Sequence, residues 1–86
     1  MRFRIYHDLR ELRDDIQKIP PANRIQIQRA ISERLTVDPI RLGKALEGKY
    51  KGLRRLRVGD WRIVYKVDGD SVVIRSIKLR RDSYKD

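Results

Sequence analysis

The sequence predicts an α+β domain: an N-terminal strand, two helices, then a three-strand antiparallel meander, with the helices packed on one face of the sheet. Three observations carry this. Apolar residues alternate at the N-terminus, recur at helical spacing from Leu9 to Leu35, and fill Val/Ile-rich runs after residue 52 that glycine-aspartate turn signals separate.

Phe3 and Ile5 alternate with Arg2, Arg4 and Tyr6, giving a short strand with one buried face. Leu9, Leu12, Ile16 and Ile19 then set a helical period, with Asp8 as its cap and Pro20-Pro21 as its stop. Pro21 and Ala22 suit the first turn of a second helix, whose stripe is Ile27, Ala30, Ile31 and Leu35 and which ends at Val37-Asp38-Pro39. Asp8, Glu11, Asp14 and Asp15 are interleaved with Arg10, Arg13 and Lys18, the pattern of a solvated face rather than a metal or acid/base site. Residues 40–52 hold three of the five glycines and read as an irregular connection.

Strands follow at Leu53–Val58, Trp61–Val67 and Ser71–Leu79. Gly59-Asp60 fits a two-residue type II′ turn, which pairs Val58 with Trp61, Arg57 with Arg62, Leu56 with Ile63 and Arg55 with Val64. The second turn is centred on Asp68-Gly69 or on Gly69-Asp70. Either choice puts Leu56, Val58, Trp61, Ile63, Tyr65, Val72 and Ile74 on the core face and Arg55, Arg57, Arg62 and Arg75 on the other, beside Val64, Val73 and Ile77.

Composition bounds the function. Eighty-six residues make one domain, residues 1–86, and 25 Leu, Ile, Val and Phe supply one modest core. With no cysteine there is no disulfide framework, thiolate nucleophile or cysteine-based zinc site. No apolar run reaches membrane-spanning length and Met-Arg-Phe-Arg-Ile lacks the apolar segment of a signal peptide, so a cytoplasmic location and no membrane partner are expected. Residues 1–38 carry eight basic and six acidic side chains, for +2; residues 39–86 carry fourteen and six, for +8. Such an asymmetry points to a polyanion, either nucleic acid or an acidic protein segment.

Arginines placed directly opposite each other destabilise a sheet, so the Arg57–Arg62 pair calls for an anion, and the guanidinium fork suits phosphate oxygens. Pairing with the chain's own acids is the structural alternative, and an acidic peptide over the sheet the other binding one. His7, the lone histidine, falls at the end of the first strand, and the count excludes two-histidine ribonuclease chemistry. No serine sits in a nucleophile elbow and no glycines have phosphate-loop spacing.

The stretch from Ala45 to Val67, with Arg-Leu-Arg-Val-Gly-Asp-Trp-Arg-Ile-Val-Tyr at its centre, followed by Leu79-Arg-Arg-Asp-Ser-Tyr84, closely resembles the RelE branch of the RelE/ParE toxin superfamily. The resemblance implies a toxin that cleaves messenger RNA in the ribosomal A site. Its cognate partner would be an acidic RelB-like antitoxin, with operator DNA bound only through their complex. It implies attack of a ribose 2′-OH on the neighbouring phosphate, leaving a 2′,3′-cyclic phosphate, with no cofactor or metal. By motif, Arg55, Arg62, Arg80 and Tyr84 match the family's catalytic positions; Lys51, Arg57, Arg75 and Arg81 are expected to bind RNA. Where some relatives carry two lysines before the tight turn, this chain has Leu53 and Arg55, and Leu79 replaces a histidine common before the arginine. Arginine is a poor general base, so the proton acceptor is unassigned, with Lys51 as a candidate. The alternatives are a ParE-like gyrase inhibitor that cleaves nothing and a non-catalytic basic co-repressor module.

Overall fold

The computed structural model describes residues 2–80. Strand β1 (Arg4–His7) leads into helices α1 (Leu9–Gln17) and α2 (Pro21–Ala30), and α2 runs on through a π-helical turn, Ile31–Leu35. A short helix α3 (Pro39–Leu42), a two-residue strand β2 (Lys44–Ala45) and a 3₁₀ turn (Gly48–Tyr50) precede strands β3 (Arg54–Val58), β4 (Trp61–Asp68) and β5 (Ser71–Leu79). One five-stranded sheet results, in the order β1-β5-β4-β3-β2, with β1 parallel to β5 and the other pairs antiparallel.

The expected α+β layout holds, and the β3–β4 register is the expected one at every pair from Arg55–Val64 to Val58–Trp61. Gly59 has φ +61° and, among the described residues, none other than glycine has positive φ, so the turn has the II′ rather than the I′ sign pattern. The second turn is centred on Gly69-Asp70, since Asp68 pairs with Ser71. Residues 40–52 are more ordered than their glycines suggest, because β2 adds a fifth strand to the sheet.

The core lies between the helices and one sheet face. Leu12, Ile19, Ile27, Ala30 and Leu35 pack against Leu56, Val58, Trp61, Ile63, Tyr65, Val72, Ile74 and Ile77. Ile77 corrects an expectation. A β-bulge interrupts the β4–β5 ladder, with Val64 opposite Ser76 but Tyr65 opposite Ile74. Alternation therefore reverses beyond Arg75: Ile77 turns into the core and Lys78 comes opposite Arg62.

Asp15 is the second correction. Far from lying on a solvated face, it is 4% exposed, and its carboxylate accepts the Ile77 N–H at 3.0 Å and the Lys78 ammonium at 2.6 Å. Strand β1 covers the edge of β5 only as far as Ile74, whose carbonyl accepts the Asp8 N–H at 2.9 Å. Asp15 supplies the acceptor for that edge where β1 no longer does, and fastens α1 to it.

Asp8 caps α1 as expected, its side chain accepting the Arg10 backbone N–H at 3.2 Å and the Arg10 guanidinium at 2.9 Å. These hydrogen bonds, with the Arg75 charge nearby, lower the Asp8 carboxyl to about 2. A depressed carboxylate pKa stabilises the fold above its ordinary value and loses that effect as pH falls toward the folded value. Urea midpoints measured between pH 5 and pH 2 should therefore fall less in Asp8→Asn than in the parent, with the difference developing below about pH 4.

Candidate nucleic-acid interface

The sheet face turned away from the core cluster carries the candidate site. Two rows of residues cross it, each read directly from the strand registers. Nearest the Gly59 turn lie Lys78, Arg62 and Arg57 on β5, β4 and β3. The next row holds Ser76, Val64, Arg55 and Lys44, the last on β2. Three like-charged pairs thus face each other across strands: Arg57 with Arg62, Arg62 with Lys78, and Arg55 with Lys44. Asp68, at the far end of β4, is the single acidic residue in β3, β4 and β5.

The structure brings Arg55, Arg57 and Arg62 together as expected. The centre of the face is not bare, however, since Arg62 is 9% exposed and Val64 and Ser76 are fully buried, while Arg57 is exposed at the rim. Arg80 lies just past β5 at the same end, where its backbone N–H donates to the Asp60 carbonyl at 2.8 Å and its side chain is exposed. Arg75 is the extra residue of the bulge. Its guanidinium is 3.4 Å from the Asp8 carboxylate, so it serves the α1 cap in addition to lying off the core side. Lys51 is exposed in the turn before β3, at the end of that strand remote from Gly59. Tyr84 and Arg81 fall outside the described residues.

Two lysines of this face escape a reading by simple alternation. Lys78 is brought there by the bulge, which has no local sequence mark, and Lys44 by a strand only two residues long. Burial works against the Lys78 charge, but the hydrogen bond and charge of Asp15, reinforced by Glu11 at 3.3 Å, outweigh it and hold its pKa above the ordinary lysine value. Lys78 is thus an ammonium at neutral pH, and although its backbone lies opposite Arg62 its charge is directed at Asp15 and Glu11 of α1.

Arg54 shows how differently two adjacent arginines are used. Its alternation places it with Leu56 on the core side, across from Tyr65. Its guanidinium donates to the carbonyls of Ile40 and Gly43, and the Tyr65 hydroxyl donates to the Pro39 carbonyl at 2.6 Å. Burial pushes the Tyr65 phenol above its ordinary pKa, so it remains a donor. A Cβ at Gly43 would land on the Tyr65 hydroxyl, which explains glycine at a position with ordinary extended backbone. Together these contacts hold α3 and β2, and hence Lys44, against the site.

The site is a basic sheet face crossed by rows of cations on a small α+β frame, a surface whose charge suits a polyanion. Comparison with known proteins gives the class. The family model for the ParE toxin of type II toxin–antitoxin systems, parDE, matches residues 5–84. Toxin RelG of Mycobacterium tuberculosis is 31% identical over 75 residues, covering 85% of this chain and 86% of the relative. The toxin–antitoxin complex RelBE2 of the same organism contains a chain that superposes with TM-score 0.85 at 26% identity, over 93% of this chain and 100% of that one. A chain of the archaeal RelE–RelB complex from Pyrococcus horikoshii superposes with TM-score 0.62 at 27% identity, over 96% and 100%. The chain belongs to the RelE/ParE superfamily of type II toxin–antitoxin toxins.

Proposed function

We propose that this chain is the toxin of a type II pair and acts as a ribosome-dependent endoribonuclease on messenger RNA. The observation that supports it is the gathering of Arg55, Arg57, Arg62 and Lys44 on one sheet face, a concentration of cations whose forked guanidinium groups suit the oxygens of a phosphate backbone. In the reaction the 2′ oxygen bonds to phosphorus and the bond from phosphorus to the 5′ oxygen breaks. Arg62, with Arg55 and Arg80, would hold the phosphate and stabilise the charge that builds on its oxygens, and Tyr84 would orient a base. The 2′-OH proton leaves to an acceptor outside the arginine set, because a guanidinium stays protonated.

The partner in this reading is an acidic RelB-like antitoxin; the M. tuberculosis structure is of a RelBE2 toxin–antitoxin complex and the P. horikoshii structure of a RelE–RelB complex, which supports a partner of the RelB type. Messenger RNA in the ribosomal A site is the substrate, and operator DNA is reached through the antitoxin. The matched family description also names ParE, which favours gyrase inhibition as the second reading. Pulse labelling after induced expression separates the two. Amino-acid incorporation should fall before thymidine incorporation; the reverse order would support gyrase as the target.

A further inference from the structure

Tyr6 is 49% exposed, turned outward from a strand whose neighbour Ile5 packs against the core. Its register explains where it points. Tyr6 pairs with Val73, and Val73 with Lys66, so these three make a third row across the same face that carries Arg62. Arg4 lies two residues before Tyr6 on β1, hence on the same face, and both Arg4 and Lys66 are exposed. The face thus offers an aromatic ring beside a short apolar residue, with Lys66 at the far end of the row and Arg4 two residues away along β1. That combination suits one nucleotide of a single strand, whose base stacks on the ring while its phosphates meet the cations.

We propose that Tyr6, with Arg4 and Lys66, forms a base-stacking subsite for a nucleotide of single-stranded RNA flanking the cleaved linkage. The proposal rests on the endoribonuclease reading above. Lys66 lies four residues from Arg62 along β4, or roughly 13 Å, and Tyr6 lies two strands further across, or roughly 10 Å. The subsite is therefore removed from the reacting phosphate, and its contribution is to hold the strand rather than to stabilise the transition state. Single-stranded RNA is favoured over an acidic peptide as the occupant because an exposed ring flanked by cations recognises a base and a phosphate together, whereas carboxylates would use the cations alone.

The test is cleavage of messenger RNA on programmed ribosomes by Tyr6→Ala and Tyr6→Phe. Tyr6→Ala should raise KM about tenfold, the loss of one stacked base, with the effect on KM rather than kcat. Tyr6→Phe, which keeps the ring face, should restore the parent KM. An abasic nucleotide walked outward from the cleaved linkage should reproduce the loss at one position, where adding Tyr6→Ala costs nothing more. An unchanged KM in Tyr6→Ala, a Phe variant as impaired as Ala, or weakened binding of the antitoxin alone would overturn the subsite. If the parent protein cuts nothing, the endoribonuclease reading fails instead. The subsite is then judged by fluorescence anisotropy with a single-stranded RNA oligonucleotide, where equal binding by the parent and Tyr6→Ala would overturn it.

Discussion

Arg62→Ala should lower the rate of transcript cleavage a hundredfold to a thousandfold while the protein stays folded. Loss of one well-placed contact to transition-state charge costs about 3–4 kcal/mol, which is that factor in rate. Arg62 sits at the centre of its row, with Arg57 on one side and Lys78 on the other, and the residue as a whole is only 9% exposed. A phosphate held by Arg62 would lie in a poorly solvated setting, where the electrostatic gain is larger than at the exposed Arg57. Arg62→Lys keeps the charge but not the planar fork, so it should recover only part of the rate. Full activity in Arg62→Ala would remove this arginine from the reaction. Circular dichroism of the same preparations checks that the variants keep their fold.

The second large effect falls on stability. Trp61 is 8% exposed on the core side of β4, opposite Val58 on β3 and Leu79 on β5. Trp61→Ala should cost about 3–5 kcal/mol, the range for truncating a buried aromatic residue. That is a large share of the roughly 5–15 kcal/mol that a typical domain commands, and 86 residues leave little surplus. Urea denaturation should show a strongly reduced midpoint, whereas Ile25→Ala, at a residue 63% exposed, should change it little. Similar midpoints for the two variants would contradict the assigned core.

What could be read from the sequence was what strong local signals fix. Gly59-Asp60 sets a two-residue turn, the turn sets the register, and strand alternation then places Arg55, Arg57 and Arg62 on one face without reference to the rest of the chain. Asp8 and Pro20-Pro21 mark the ends of α1 in the same local way. The features that were hidden depend on distant partners. Asp15 looks solvated among interleaved charges, and only its meeting with Ile77, 62 residues on, makes it a buried acceptor. Nothing around Arg75 announces a bulge, yet one inserted residue turned Ile77 inward and brought Lys78 to Arg62. Strand β2 is too short to have a period, so Lys44 could not be placed from its own segment. The site was therefore legible in Arg55, Arg57 and Arg62 and illegible in Lys44 and Lys78.

The most direct test adds the purified protein to ribosomes programmed with a defined transcript and maps the transcript ends. Cuts are expected at the A-site codon, bearing 2′,3′-cyclic phosphate and 5′-hydroxyl ends, absent with Arg62→Ala and suppressed by the cognate antitoxin. Intact transcripts, together with inhibition of DNA gyrase by the same preparation, would contradict the endoribonuclease reading.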